Sequence, residues 1–322
     1  MRHIILHYHF FKNAGSTFAA ALEHNFGKNF ASFDSEHYNR RLHPQELVRF
    51  VQENPHLVAI SSHHLNPLAP HVEGIQFHEV VILRNPVDRI RSMYDFFRRE
   101  RISEDPLTYE AKRLSLPAFL ELLIETRPHL ITNPQLNLIA RGGAAIPSRQ
   151  DMDRAALFLK TVAVIGVVER FDLCALGAEQ SLSRVFPHCD LSYVPENVSQ
   201  GRASDLRTRL QRFAATCGDH LYRRVVNLNE LDSELVEIAA AESLRRFQEM
   251  ASPEASLRSF RRRVRYRKIL SGIAKRRARV LRLWSRTMGI ISLRQESLSD
   301  RLDSLLRRTR TRKRLPFRFK TK

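Results

Sequence analysis

The N-terminal segment joins an apolar run, a short polar loop and a helical pattern, and this order constrains the fold most. Residues 4–17 read Ile-Ile-Leu-His-Tyr-His-Phe-Phe-Lys-Asn-Ala-Gly-Ser-Thr. The apolar run predicts a buried strand, and a helical pattern begins at Phe18. Such a turn is typical of an anion site, because backbone N–H groups and the positive end of a helix converge there.

The position of the lysine in this loop separates it from the usual nucleotide triphosphatase loop. In G-x-x-x-x-G-K-[ST] the lysine follows the last glycine. Here Lys12 comes three residues before Gly15, and no glycine precedes it in the loop. The loop therefore favours a phosphate-like group without the usual Mg-nucleotide arrangement.

Further apolar runs alternate with helical patterns along the chain. Strands are predicted at Leu57–Ser61, Glu79–Leu83 and Val162–Val168, and helices at about 17–26, from Pro44, from Pro86 and over 200–250. The polar, mixed residues 27–45 predict no regular element before Pro44. This alternation predicts an α/β fold with a central parallel sheet flanked by helices.

Positive charge is concentrated at the C-terminal end. From Arg258 onward there are 24 Lys and Arg against 3 Asp and Glu, a net charge of +21, whereas residues 1–257 hold 29 against 31, a net of −2. We therefore predict a domain over 1–250 and a basic, partly amphipathic helical tail over 251–322. Only the tail therefore argues for an anionic partner such as nucleic acid or an acidic surface.

Apolar residues recur at helical spacing within the tail, at Leu270, Ile273, Ala274, Ala278, Leu281, Trp284, Met288 and Ile291. One interpretation is a helix over 264–291 that lies on an anionic membrane surface. The other is a helical hairpin packed on the body. Nucleic acid is a third option and is less favoured, because aromatic residues for base stacking are scarce there.

Cysteine use and hydropathy bear on the compartment. Cys174, Cys189 and Cys217 are widely spaced and form no C-x-x-C pair, which predicts buried or unreactive thiols in a reducing environment. No secretory signal is evident, and no apolar stretch approaches the roughly 18–20 residues that span a bilayer. We expect a cytoplasmic protein, with peripheral membrane attachment through the tail as an option.

Chemically active side chains follow three of the predicted strands. These are the Lys12–Thr17 loop, the pair His63 and His64, and Arg84 with Ser92 two turns into the next helix. Ligands of open α/β sheets bind outside the carboxyl ends of the strands. Taken singly, each has an ordinary explanation as a helix cap, a surface arginine or a partly buried histidine. If the chain stays extended, at most one of the two histidines faces the site.

In combination these segments resemble the carbohydrate sulfotransferases that use 3′-phosphoadenosine 5′-phosphosulfate (PAPS). His-Phe-Phe-Lys-Asn-Ala-Gly-Ser-Thr (9–17) resembles their 5′-phosphosulfate loop, H-x-P-K-T-A-G-T-T, and Val-Val-Ile-Leu-Arg-Asn-Pro-Val-Asp-Arg-Ile-Arg-Ser (80–92) resembles their 3′-phosphate motif. Ile-Ser-Ser-His (60–63) is similar to the family's I-S-G-H segment. Residues 164–172 and 229–235 are similar to I-G-L-T-E-R-F-D and N-x-x-D-x-x-L.

The resemblance covers about residues 3–245 in the right order and has three departures. Phe11 replaces a proline, Asn13 replaces a threonine, and Ser62 stands where glycine is common. The first two leave the lysine, the glycine and the hydroxyls in place. The third, with His64 adjacent, leaves the choice of catalytic base between His63, His64 and then Glu79.

The resemblance implies a P-loop-like sulfotransferase fold and metal-free transfer of a sulfuryl group from PAPS to a hydroxyl of a carbohydrate or glycolipid. It implies that Lys12 stabilises the bridging oxygen and that His63 is the general base. The implied cofactor contacts are Lys12, Asn13, Ala14, Gly15, Ser16 and Thr17 for the 5′ end, and Arg84 and Ser92 for the 3′-phosphate.

Two other functions remain open on the sequence. One is an ATP-dependent phosphotransferase, and the other is a non-catalytic protein of nucleotide-binding fold that holds membrane or nucleic acid through its tail. Asn133, Gln135 and Arg141 match an N-x-Q-x-R-like stretch of the family, and Asn197–Arg202 is placed as a loop over the nucleotide. We interpret both segments as structural.

Overall fold

A computed structural model describes residues 1–37, 40–100, 105–143, 145–196 and 205–287. Its centre is a parallel sheet of five strands in the order β2-β3-β1-β4-β5. The strands are β1 (Arg2–Tyr8), β2 (Phe30–Ser32), β3 (Ala59–Ser62), β4 (Ile75–Leu83) and β5 (Val164–Val167). The predicted α/β fold with a central parallel sheet is confirmed.

One strand was not predicted. β2 has only three residues and lies at the sheet edge, where it pairs with β3. It lies within the mixed sequence of residues 27–45, and three residues are too few to show the apolar–polar alternation that distinguishes a strand from a loop. The pairing with β3, not the local sequence, makes it a strand.

Eleven α-helices surround the sheet in the described residues. They are α1 (Gly15–Phe26), α2 (Pro44–Glu53), α3 (Pro86–Arg99), α4 (Pro106–Arg113), α5 (Leu116–Thr126), α6 (Pro134–Arg141), α7 (Arg149–Thr161), α8 (Phe171–Leu182), α9 (Leu206–Asn227), α10 (Glu230–Gln248) and α11 (Pro253–Thr287). Pro86 begins α3, and the side chain of Asn85 caps that helix by accepting from the Asp88 amide at 3.1 Å. Proline suits this position because an N–H in the first turn would have no acceptor within the helix, so its absence costs nothing.

Both faces of β1 are covered, which explains its nearly continuous apolar sequence. Ile4, Leu6 and Tyr8 pack in one cluster with residues of α2, α6, α7 and α10. Ile5 lies in a second cluster with Phe18 of α1 and with residues of α8 and α11. Full burial of one such aliphatic side chain contributes roughly 1.5–3 kcal/mol.

A third cluster joins α3, α4, α5 and α9 beside the sheet. Phe11 of the β1–α1 loop packs against it and meets Phe96 edge-on at a centroid distance of 5.3 Å. Phe11 stands where the sulfotransferase loop that this segment resembles has a proline. The loop is thus held from the helical layer as well as from the sheet.

Part of the basic segment belongs to the core. Leu257, Phe260 and Val264 of α11 are buried in the cluster that contains α8. Met288, Ile291 and the rest of 288–322 lie outside the described residues. Among the residues that are described, no helix is long and apolar enough to cross a membrane.

The cysteines are unpaired and not activated. Burial raises the pKa of the Cys174 thiol to about 12, and burial also raises the pKa of Cys189 to about 12 and that of Cys217 to about 11. A raised pKa keeps the thiol protonated at neutral pH and therefore a poor nucleophile.

Candidate functional site

The β1–α1 loop lies at the carboxyl end of the central strand, with β3 on one side of β1 and β4 on the other. Lys12 and Ala14 adopt positive φ angles of 65° and 57°. Such angles are strained for residues other than glycine and persist where the surrounding structure imposes them. The amides of Gly15 and Ser16 lie in the first turn of α1, where N–H groups have no intrahelical acceptor.

Asn13 fastens the loop to the sheet. Its buried Nδ2 donates to the carbonyl of Ile82 on β4 at 2.9 Å and to Oε1 of Gln135 at 2.7 Å. A threonine, which the resembled loop has at this position, is shorter and has no amide that makes both bonds. Asn13 therefore supports the loop from below.

Gln135 is the centre of a buried polar network that links the loop to two helices. Its Oε1 also accepts from the Arg84 amide at 2.9 Å, and its Nε2 donates to the Arg84 carbonyl at 2.8 Å. The carboxylate of Asp232 on α10 accepts from the amides of Gln135 and Leu136 at 3.0 and 2.8 Å. Burial raises the pKa of Asp232 even though these bonds oppose the shift. The structural interpretation of Gln135 agrees with this geometry.

Arg84 lies directly under the loop and is only 3% exposed. Its Nε and Nη2 donate to Asp88 at 3.0 and 2.8 Å, and its Nη1 donates to the carbonyl of Lys12 at 2.7 Å. Asp88 also accepts from Nε of Arg209 at 2.9 Å. The structure thus brings Arg84 and Lys12 together on one edge of the sheet and binds Arg84 to the loop backbone.

A second arginine supports the same loop. Arg89 is buried, and its Nε donates to the carbonyl of Phe11 at 3.0 Å. Burial lowers the pKa of Arg89 to about 10, although the charge of Asp232 opposes this shift. Sequence reasoning missed Arg89, because nothing in its local pattern separates it from a surface arginine of α3.

The ammonium of Lys12 lies over aromatic rings. Nζ is 4.4 Å from the ring centroid of Phe96 and 5.6 Å from that of Phe11. A cation–π contact of this kind restrains the side chain. Its stabilisation is small enough for a bound ligand to outweigh. Phe96 is a further residue of the site that the sequence did not indicate.

Gly15 is required by a close approach of His9. A Cβ added at Gly15 would lie 1.9 Å from Cδ2 and 2.5 Å from Nε2 of the His9 ring. That ring in turn packs against His63, with centroids 3.7 Å apart and planes inclined by 30°. The glycine of the loop thus leaves room for His9, which follows β1, between the start of α1 and His63.

His63 and His64 face different surroundings. The imidazole of His63 lies beside His9 and the loop, whereas that of His64 approaches the carboxylate of Asp34 at 3.3 Å. Of the two, His63 is therefore the one that packs against His9, whose ring lies against Gly15. Its backbone is held on both sides, because its amide donates to Asp34 at 2.6 Å and its carbonyl accepts from Arg41 at 2.6 Å.

Asp34 organises both histidines. Burial raises the pKa of its carboxyl, but the hydrogen bond with His64 and the charge of His63 outweigh it, so the pKa is lowered overall. Asp34 precedes β3 by many residues and carries no motif, so sequence reasoning missed it.

Glu79, the third candidate base, lies lower on the sheet. It pairs in register with Leu6, two residues before the end of β1. Its Oε1 accepts from the hydroxyl of Tyr8 at 2.5 Å and from the amide of Ala69 at 2.8 Å. These bonds give Glu79 a structural role.

Two further predicted cofactor residues, Thr17 and Ser92, lie in helices α1 and α3. The hydroxyl of Thr17 accepts from the amide of Glu196 at 3.0 Å, which ties α1 to the segment that leads to Asn197–Arg202. Asn197–Arg202 itself lies outside the described residues. Ser92 is half-buried in α3, the helix that begins just after Arg84. Within the described ranges, no cluster of His, Cys, Asp and Glu is arranged to hold a metal ion.

Stability should depend on pH through His7, which stacks beside His9 and bonds to the Ser61 hydroxyl at 2.9 Å. Burial, with a smaller contribution from the charge of His63, lowers the pKa of His7 to about 3. Below the ordinary pKa of about 6.5 the unfolded chain binds a proton that the folded chain does not, so the folded state loses about 1.4 kcal/mol per pH unit down to about pH 3.

We expect His7→Gln to remove this part of the acid sensitivity. Urea unfolding of both proteins between pH 7 and pH 4 checks it. The stability advantage of the natural chain should shrink, or become a deficit, as the pH falls. A difference that stays constant with pH would contradict a neutral, buried His7.

No family model matches the chain. It is 26% identical over 241 residues to an uncharacterized protein of Archaeoglobus fulgidus, an alignment that covers 73% of this chain and 95% of that protein.

Proposed function

We propose that this protein is a PAPS-dependent sulfotransferase that transfers a sulfuryl group to a hydroxyl of a carbohydrate or glycolipid. One observation carries the proposal. The carboxyl ends of the neighbouring strands β3, β1 and β4 present His63, the Lys12 loop and Arg84 at one edge of the sheet. These are the three elements that the resemblance requires to act together.

The loop supplies the contacts for the 5′ end. The amides of Gly15 and Ser16 and the positive end of the α1 dipole attract a phosphosulfate. Lys12, on leaving its ring contacts, neutralises the negative charge that grows on the bridging oxygen as the bond to sulfur breaks. The leaving group is then 3′-phosphoadenosine 5′-phosphate (PAP).

Arg84 and Ser92 are proposed for the 3′-phosphate, as the resemblance implies. A guanidinium has five N–H groups, and the bonds of Arg84 to Asp88 and Lys12 use three of them. A phosphate on the other two would be linked through Arg84 to the backbone of the loop. Occupancy of the 3′-phosphate site would then be coupled, through Arg84, to the loop that is proposed to hold the 5′ end.

His63 is the proposed general base. It accepts the proton of the acceptor hydroxyl while that oxygen forms its bond to sulfur, in line with the departing phosphate oxygen. The bonds of Asp34 and Arg41 to its backbone, with the His9 ring beside it, hold the imidazole in place. Positioning and charge stabilisation are the main contributions expected, as in phosphoryl transfer.

Ligand-induced thermal shifts test the proposal. We expect PAP to raise the melting temperature, by an increment worth about 2.7 kcal/mol at a hundredfold excess over its Kd, and Mg-ATP to raise it less. Gly15→Ala should abolish the PAP shift, since its Cβ displaces His9. Gly177→Ala is the matched control, because the added Cβ has no atom within 4 Å other than those of its chain neighbours and its own helix backbone.

Circular dichroism of each variant shows whether it folds, and Lys12→Met provides a second loop variant if Gly15→Ala does not. A larger shift with Mg-ATP than with PAP would favour the phosphotransferase. No shift with either nucleotide, in a folded protein, would favour the non-catalytic alternative.

A further inference from the structure

α11 is fixed to the body along one side. Besides the buried Leu257, Phe260 and Val264, Arg263 forms ion pairs with Glu179 at 2.7 Å and with Asp190. Arg267 pairs with Asp190 at 2.8 Å. These contacts set the rotation of the helix about its own axis and therefore which of its faces is turned outward.

The outward face carries an apolar stripe, which consists of Tyr266, Ile269, Leu270 and Ile273. These side chains are 62%, 54%, 46% and 44% exposed. Their spacing of three, four and seven residues places them on one face. Val264 and Phe260 lie on the opposite face, so the outer stripe points away from the body.

Basic side chains border the outer stripe. Between residues 258 and 278 the sequence contains no Asp or Glu. The exposed cations there are Arg258, Arg261, Arg262, Arg265, Lys268, Lys275, Arg276 and Arg277. The body has almost no net charge, so this positive field belongs to the helix and not to the protein as a whole.

We propose that the outer stripe of α11 docks the protein on an anionic lipid membrane. A helix with an apolar face and arginines on its flanks lies in the plane of the interface, with the apolar face at the acyl boundary and the cations at the head groups. Val280, Leu281 and Trp284 continue the same spacing along the sequence of α11. This surface is independent of the sulfotransferase proposal.

The aliphatic chemistry of the outer stripe favours the lipid surface over nucleic acid, since both partners would match its positive charge. An RNA-binding stripe of this length would present several aromatic rings for base stacking. The outer stripe has one such ring, Tyr266, and three branched aliphatic side chains. Aliphatic side chains gain most from transfer into the acyl boundary.

Vesicle flotation of the full-length chain tests the proposal. We expect binding to vesicles of phosphatidylcholine mixed with phosphatidylglycerol, weak binding to phosphatidylcholine alone, and a decline with added salt. Ile269→Asp with Ile273→Asp should lower the partition coefficient at least about tenfold. Leu157→Asp is the matched control, since Leu157 is 65% exposed on α7.

A second pair of variants tests the charges. Arg265→Glu with Arg276→Glu should weaken binding to the anionic vesicles, whereas Lys112→Glu with Arg113→Glu, exposed on α4, should not. Equal binding to neutral and anionic vesicles would overturn the proposal, and so would unchanged binding by the stripe variants. Tight binding to a single-stranded RNA without vesicle binding would assign the helix to nucleic acid instead. Since all substituted residues are exposed, unchanged melting temperatures verify folding.

Discussion

His63→Ala should lower the rate of sulfuryl transfer about 10²- to 10⁴-fold, the usual contribution of a positioned general base. The affinity for PAP should stay unchanged. PAP lacks the sulfuryl group, and His63 is proposed to contact the acceptor hydroxyl and not the nucleotide. Single-turnover assays with PAPS and a glycan or lipid acceptor measure the first quantity, and titration with PAP measures the second.

His64→Ala is the informative comparison, because it removes the neighbouring imidazole and leaves the stack of His9 on His63. We expect it to retain most of the activity and the limb of the pH–rate profile that reports the base. That limb should disappear in His63→Ala. If His63→Ala turned over normally and His64→Ala did not, His64 would be the base.

Asp88→Ala should lower the free energy of unfolding by about 3–5 kcal/mol, the cost of leaving a buried charge without its partner. Asp88 forms ion pairs with Arg84 and Arg209. The side chains of Arg84 and Asp88 are only 4% and 3% exposed. Urea unfolding measures the change. The loop should also loosen, since Arg84 carries the bond to the Lys12 carbonyl.

Asp95→Ala is the control on the same helix. Asp95 pairs with Arg91 at the same spacing, but their side chains are 32% and 40% exposed, so the pair contributes about 1 kcal/mol or less. Equal losses for Asp88→Ala and Asp95→Ala would show that the Arg84–Asp88 pair is not the buried anchor of the site. Asp88→Asn, which keeps an oxygen acceptor, should lose less than Asp88→Ala.

Much of the fold was predictable because burial leaves a periodic record. β1, β3, β4 and β5 are apolar where both faces of the sheet are covered, and each prediction fell on or near the observed strand. Their boundaries differ by a few residues, as at β4, which begins at Ile75 and not at Glu79. Polar residues such as Gln76 and His78 hide that start from an apolar pattern.

The support of the site was less predictable. Asp34, Arg89, Gln135 and Asp232 act through partners more than 20 residues away in the chain. Their neighbours in sequence say nothing about those partners. The resemblance pointed to the segment of Gln135, yet only the hydrogen bonds show that it joins the loop to α6 and α10.

The parallel sheet, the strand–loop–helix turn and the candidate side chains could be predicted from the sequence alone, because they depend on local order and on the alternation of apolar and polar residues. Three features follow only from the three-dimensional packing: Arg84 lies under Lys12, His63 and not His64 packs against His9, and α11 turns its apolar stripe outward. Each of these depends on contacts between segments far apart in the chain. Packing determines such contacts, and a local pattern does not encode them.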